Sequence, residues 1–152
     1  MARDDIVGLD ELQRAVRRLG EKVPQIAATR AARAGAKIAF KAAKANAPID
    51  TADLKNGLVM KPEKRTTKGK KMFDIMLDPL KNNVFVKVSK VGKRSYYPAS
   101  QEYGYLTVSG RYIPGYRYLR KSITENKREI ETTIVRIGIE EVDKAWNARN
   151  AR

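Results

Sequence analysis

Eleven of the twenty-one residues from Ala27 to Ala47 are alanine, and no acid lies between Lys22 and Asp50. Alanine is the best helix former because it loses no side-chain entropy on folding. The run therefore dictates a long helix over about residues 24–46. At 100° per residue, Arg30, Arg33, Lys37, Lys41 and Lys44 fall in one stripe about 80° wide. Ala28, Ala32, Ala36, Ala39 and Ala43 lie opposite, with Ile38 and Phe40 on the flanks. One face can thus approach a neighbour closely, while the other is basic. The stripe reads either as a solvated helix surface or as a contact for phosphates or acidic neighbours. The lack of a neutralising acid supports the second.

The helix has to stop at Asn46-Ala47-Pro48, since the residue before a proline is driven out of the α region. Asp50 or Thr51 then offers a cap for a short helix through Leu54, with Gly57 as its stop. Upstream, Leu9, Leu12, Val16, Leu19, Val23 and Ile26 recur at spacings of three and four, an amphipathic seam. Asp10 and Glu11 sit in its first turn, where the helix dipole favours acids. Gly20 and Pro24 divide the seam, so one helix ends near Gly20 and the long one starts near Pro24.

Beyond Gly57 the period becomes alternating. Leu58–Met60, Met72–Leu77 and Val84–Val88 read as strands. Phe73, Ile75 and Leu77 share a face, as do Val84, Val86 and Val88. The first two flank a basic tip at 61–71 that carries Lys61, Lys64, Arg65, Lys68, Lys70 and Lys71. The tip is too long for a tight hairpin and too polar to bury, and is expected to be mobile. Asp78-Pro-Leu-Lys-Asn-Asn83 is turn chemistry joining the second strand to the third. The expectation is an antiparallel meander of three to four strands.

All seven tyrosines fall in the window from Tyr96 to Tyr118. Tyrosine combines large contact area, low rotamer entropy and a polar tip, so it is enriched at protein–protein interfaces. The alternative is a loop-rich segment covering one end of the sheet. Within the window, Tyr97–Tyr103 can form a helical turn. Ser109-Gly110 can close a hairpin between Tyr105–Val108 and Arg111–Ile113. A long helix then runs from about Tyr116 to Asn147. Leu119, Ile123, Ile130, Ile134 and Ile137 share one face. Val135, Ile139, Val142 and Trp146 share another about 140° away. Two apolar faces need two partners, and the second is as naturally a neighbouring subunit as an element of the same domain. Residues 148–152 are expected to fray.

The composition removes several function classes. With 152 residues the chain reads as a single domain, 1–152, that buries ~70% of its unfolded surface. It has neither cysteine nor histidine. Disulfides, thiolate zinc sites, imidazole ligation and histidine-based triads are therefore out of reach. No phosphate-binding glycine loop or metal-ligand cluster is present, so neither cofactor nor metal is expected. Asp50 and Asp53 read as helix caps. Glu102 reads as a partner for arginine or a cap for backbone rather than as a base. An enzyme is the least favoured class. No apolar run approaches the ~18 residues of a membrane span, and the acidic start lacks a signal-peptide core. Synthesis in a cytoplasm is expected. The net charge of +15 is concentrated in residues 58–98, with 11 basic and 3 acidic side chains. It favours nucleic acid, anionic lipid or acidic protein partners.

Two segments, in order, carry a resemblance. Lys44–Leu58, KANAPIDTADLKNGL, resembles a motif of a long helix, Ala-Pro-x-Asp-Thr-Gly, then Leu and a short helix. YYPASQEYG followed by IPGYRYLRKSI resembles a Glu-aromatic-Gly step, a Pro-containing loop and an aromatic-Leu-Arg start to the last helix. The opening VGLDELQRAVRRLGEKV is similar to the same family's N-terminal Gly-Leu-x-x-Leu helix. The family is the neck proteins of long-tailed bacteriophages, also described as tail-component or tail-completion proteins. Ala52 stands where the family usually has glycine. Gly115-Tyr116 and Lys121-Ser122 replace its Pro-rich steps.

The resemblance implies a non-enzymatic α+β virion protein with long N-terminal helices, an antiparallel sheet and a long C-terminal helix. It implies a homo-oligomeric ring, commonly sixfold, at the head–tail junction around the DNA channel, in contact with head–tail connector and tail proteins. Tail completion and tail termination are not separated by sequence. Tyr96, Tyr97, Glu102, Tyr103, Tyr105, Tyr112, Tyr116, Tyr118 and Trp146 would form subunit or ring contacts. Pro48, Asp50, Thr51, Leu54 and Gly104 would fix turns. The helix stripe and the basic tip would face DNA or acidic partners. The alternative is a free basic nucleic-acid-binding protein, although no known binding-module signature is present.

Overall fold

The computed structural model describes residues 20, 22–49, 52–64, 67 and 70–150. The amphipathic seam before Gly20 lies outside them. The elements are α1 (Lys22–Asn46), α2 (Asp53–Gly57), β1 (Leu58–Pro62), β2 (Phe73–Leu77), a 3₁₀ turn (Pro79–Lys81), α3 (Asn82–Phe85) and β3 (Val86–Val88). There follow β4 (Arg94–Tyr96), α4 (Tyr97–Tyr103), β5 (Tyr105–Leu106), β6 (Tyr112–Ile113), α5 (Tyr118–Thr124) and α6 (Lys127–Asn150). The chain is α+β, with a long helix at each end of the described structure.

The alanine run forms α1, which begins at Lys22 and accommodates Pro24 within its first turn. Its buried ridge is Ala27, Ala31, Gly35, Ala39, Ala43 and Ala47, a strict spacing of four. This corrects the expected face: Ala39 and Ala43 belong to it, but Ala28, Ala32 and Ala36 are only half-buried. A row of residues four apart is a packing ridge of a helix. Here it is made of the smallest side chains and receives α6 running antiparallel. Gly35 lies under Ile134, Ala31 beside Gly138, and Arg30 pairs with Glu141. A Cβ at Gly35 would come within 2.7 Å of Ile134 Cδ1, so the absent side chain sets how closely the helices cross.

The sheet departs from the meander. Three separate antiparallel hairpins form instead, β1–β2, β3–β4 and β5–β6. β1 and β2 pair as expected, from Leu58↔Leu77 to Pro62↔Phe73. The third expected strand is shortened because its first residues, Val84 and Phe85, belong to α3. Asp78 accepts a bond from Leu80 N at 3.2 Å and Pro79 starts the 3₁₀ turn. That turn runs on into α3 and carries Phe85 to complete burial. β3 then pairs with β4, Val86↔Tyr96 to Val88↔Arg94, and not with β2.

The expected last helix is two helices. Asn126 Nδ2 donates to Ser122 O at 3.0 Å and Thr124 Oγ1 to Arg120 O at 3.1 Å. Such side-chain bonds compete with the helical ladder, and α5 ends at Thr124. α6 starts three residues later and remains helical through Asn150, into the segment expected to fray. Val142 also changes face: it is buried, while Val135, Ile139 and Trp146 are exposed. The core gathers where the end of α1 meets α2, β1, α3 and α5. Ala43, Ala47, Leu54, Leu58, Phe85 and Tyr118 form it, flanked by Phe40, Ile75, Leu77, Tyr97 and Leu119.

Candidate functional site

The tyrosine window is a folded unit closed at its base. α4 ends at Gly104, whose φ is 88° and whose N donates to Ser100 O at 2.8 Å. A Cβ there would lie within 2.8 Å of Gly115 N and Tyr112 Oη, so the turn needs glycine. Tyr112 Oη donates to Tyr103 O at 2.6 Å, and Tyr116 N to Gln101 O at 2.7 Å. Both bonds tie the outgoing strand and loop back to the last turn of α4. Between them, β5 and β6 pair as Tyr105↔Ile113 and Leu106↔Tyr112.

Glu102 locks the base. It is buried, and its carboxylate accepts from Leu119 N at 2.9 Å and Arg120 N at 3.1 Å. These are free backbone donors in the first turn of α5, where a negative charge is also favoured by the helix dipole. α5 has no side-chain cap of its own: its N-cap residue, Arg117, sits in the left-handed region with φ 54°. Glu102 supplies the cap from α4. Beside it, Tyr118 is 1% exposed, and burial together with the Glu102 charge pushes its phenol well above the usual tyrosine range.

The seven tyrosines therefore divide. Tyr103, Tyr105, Tyr112, Tyr116 and Tyr96 are exposed, Tyr103 at 74%. Tyr97 is half-buried. Tyr118 is a core residue, and Glu102 an internal cap, so neither presents a surface. Trp146 is exposed near the end of α6, far along the chain from the window. Of the turn residues, Leu54 is buried at 1% and Pro48 half-buried, while Asp50 and Thr51 lie outside the described residues. The position before α2 is occupied by Ala52, with φ 57° and no side-chain cap bond.

The basic stripe is less free than its spacing suggests. Arg30 pairs with Glu141, which also accepts from Lys144 at 3.0 Å. The Lys144 and Arg30 bonds hold the Glu141 carboxyl below its ordinary value. Lys44 Nζ stands 4.7 Å over the Phe40 ring. Arg33, Lys37 and Lys41 are exposed. Of the basic tip, Lys61, Lys64 and Lys70 are exposed, Lys71 is half-buried, and Arg65 and Lys68 lie outside the described residues.

Two features escaped the sequence reading. Residues 79–101 contain no acid, and the β3–β4 hairpin carries Lys87, Lys90, Lys93 and Arg94, all exposed. The charge count over residues 58–98 contained this signal but did not locate it. At the tip of β5–β6, Leu106 and Val108 stand in solvent. Among the described residues, no group of three or more acidic side chains could hold a metal ion, and no helix is long and apolar enough to cross a membrane.

Residues 10–75 match the model of a family described as "Bacteriophage HK97-gp10, putative tail-component". The matched segment holds α1, the Ala-Pro-x-Asp-Thr motif, β1 and the start of β2. No curated protein and no solved structure matches the chain.

Proposed function

We propose that this chain is a structural, non-enzymatic subunit of a long-tailed phage virion that forms a ring at the head–tail junction. There it completes the tail or joins it to the head around the DNA channel, in contact with connector and tail proteins. The observation that carries the reading is the match to the tail-component family over residues 10–75. The surface supports it. Exposed aromatic side chains on a rigid frame are the usual material of interface anchors, and α6 keeps an apolar outer face at Val135, Ile139 and Trp146. A sixfold ring is the stoichiometry we assign, by resemblance to neck proteins. A tail-terminating ring would present the same features.

Electron microscopy of particles from a phage lacking the gene tests the reading. DNA-filled heads with detached or malformed tails are expected. Intact virions with normally joined tails would remove the protein from the junction.

A nucleic-acid-binding role is the second reading, favoured by the acid-free stretch 79–101 and its hairpin of four exposed cations. Phosphate contacts of this kind release counterions, so affinity falls steeply with salt, with a slope of about −0.9 per neutralised phosphate. Replacing Lys87, Lys90, Lys93 and Arg94 with glutamine should flatten that slope for duplex DNA by up to about 3.6. An unchanged slope sets this reading aside.

A further inference from the structure

Four cations without an ion-pair partner among the described residues stand on the β3–β4 hairpin. Lys87, Lys90, Lys93 and Arg94 are all exposed. The ion pairs of the described residues join Arg30 and Lys144 to Glu141, Lys127 to Glu131 and Arg136 to Glu140, so none reaches the hairpin. The acids nearest in sequence are already engaged. Asp78 accepts from Leu80 N, and Glu102 is buried beneath α5.

The strand register sorts these cations by face. β3 and β4 pair Val86↔Tyr96, Lys87↔Ser95 and Val88↔Arg94, and Ser89 N donates to Lys93 O at 2.9 Å. Side chains alternate along a strand, so Lys87, Ser89, Lys93 and Ser95 share one face while Val88 and Arg94 take the other. Lys87 and Lys93 are diagonal neighbours, about 7–8 Å apart at the backbone. The serines hold the frame: Ser89 Oγ accepts from Lys93 N at 3.1 Å, and Ser95 Oγ donates to Lys87 O at 3.4 Å. Gly92, with φ 78°, closes the turn by donating to Ser89 O at 2.9 Å and leaves Lys90 at the apex. The two ammonium groups take no part in this frame. They are like charges on one face of a two-stranded hairpin, and their repulsion is relieved by an anion placed between them.

We infer that the Lys87–Lys93 face of this hairpin, with Lys90 at its apex, is a contact for the phosphodiester backbone of duplex DNA, and that the α1 stripe is not. The inference rests on the nucleic-acid reading above and narrows it to one face of one hairpin. It applies to a free protein and to a ring subunit around DNA alike. An ammonium is a point charge that meets phosphate without a fixed orientation, so the contact does not depend on base sequence. The α1 stripe has lost both its ends: Arg30 pairs with Glu141, and Lys44 stands over the Phe40 ring. An anionic lipid surface is the competing polyanion. Val88, the exposed apolar side chain of β3, faces away from Lys87 and Lys93, so it cannot enter a bilayer that those lysines touch.

Fluorescence anisotropy of the purified full chain on a short labelled duplex, over a salt series, tests the contact. Each neutralised phosphate contributes about 0.9 to the slope of log affinity against log salt. Lys87→Gln with Lys93→Gln should flatten the slope by about 1.8. The charge-matched pair Arg33→Gln with Lys41→Gln should leave it unchanged, and Lys87→Arg with Lys93→Arg should keep the wild-type slope. Circular dichroism is expected to be the same for all three. Equal flattening by the hairpin and stripe pairs would mean diffuse attraction and overturn the site. A slope that falls only when Lys90 and Arg94 are also replaced would overturn the face and leave the nucleic-acid reading standing. Wild-type protein without affinity for the duplex overturns both. Tighter binding to phosphatidylserine vesicles than to duplex, at equal phosphate concentration, would overturn the assignment to DNA.

Discussion

The carboxylate of Glu102 accepts the backbone N–H of Leu119 at 2.9 Å across 17 residues of sequence. One buried side chain thus starts α5 and closes the base of the tyrosine hairpin. Without it, the N–H groups of Leu119 and Arg120 would have no cap, since Arg117 provides none.

Loss of a helix cap costs about 1 kcal/mol, and a buried donor left unpaired about 1–3 kcal/mol. Glu102→Ala is therefore expected to lower stability by roughly 2–3 kcal/mol. Glu102→Gln keeps one acceptor and should fall between. Urea unfolding monitored by circular dichroism measures both. An alanine variant as stable as wild type would show that the cap is dispensable.

Ala52 adopts φ 57° ahead of α2, a left-handed conformation that favours glycine. A left-handed residue with a Cβ is strained by about 1–2 kcal/mol. Ala52→Gly should relieve that strain, less the extra chain entropy that glycine loses on folding, for a net gain of about 0.5–1 kcal/mol. Ala52→Val should destabilise. Melting temperatures that rank valine above glycine would contradict the strained turn.

Tyr103 and Tyr116 are exposed and lie outside the core. Tyr103→Ala combined with Tyr116→Ala is expected to leave the monomer's unfolding midpoint within about 1 kcal/mol, the usual range of surface changes. Incorporation into particles should drop at least tenfold, as read by immunoblot of purified virions. Normal particles from this double variant would take the window out of the contact surface.

Tyr118 gives a pH test with a defined sign. Its phenol is raised in the folded chain, first by burial and then by the charge of Glu102. The neutral form is the one that folds, so its contribution is complete below the ordinary tyrosine value of about 10 and declines as pH rises above it. Unfolding free energy should fall steadily as pH rises above about 10, and Tyr118→Phe should flatten that decline. Parallel curves for the two proteins would mean that Tyr118 does not couple folding to alkali.

Local chemistry was readable in the sequence where a short segment settles its own state. The alanine run forms a helix whatever packs on it, and Pro48 ends it. Ser109-Gly110 closes a hairpin, and Tyr97–Tyr103 makes a helical turn. The alternation in Phe73–Leu77 put the right residues on the half-buried face. Boundaries failed where side chains compete with the backbone, as at Asn126, and where a turn runs on into a helix, as at Val84–Phe85, since apolar spacing reports neither.

The sequence by itself determined the α+β class, the two long helices, the strand-forming stretches of β1, β2, β3, β5 and β6, the aromatic window and the family resemblance, while β4 went unread. All of these follow from propensity, period and motif order over spans of a few to a few tens of residues. Tertiary structure alone decided which tyrosine is buried, which cations are already paired, and which strands meet. Tyr118 and Tyr103 are chemically the same residue. Only the docking of α5 against α1 and Phe85, with Glu102 beneath its first turn, sends one to the core and leaves the other in solvent. Likewise Arg30 and Lys37 share a stripe, but only the antiparallel crossing of α6 brings Glu141 to Arg30. Burial and pairing depend on contacts between residues far apart in sequence, and a linear pattern does not encode which of them meet.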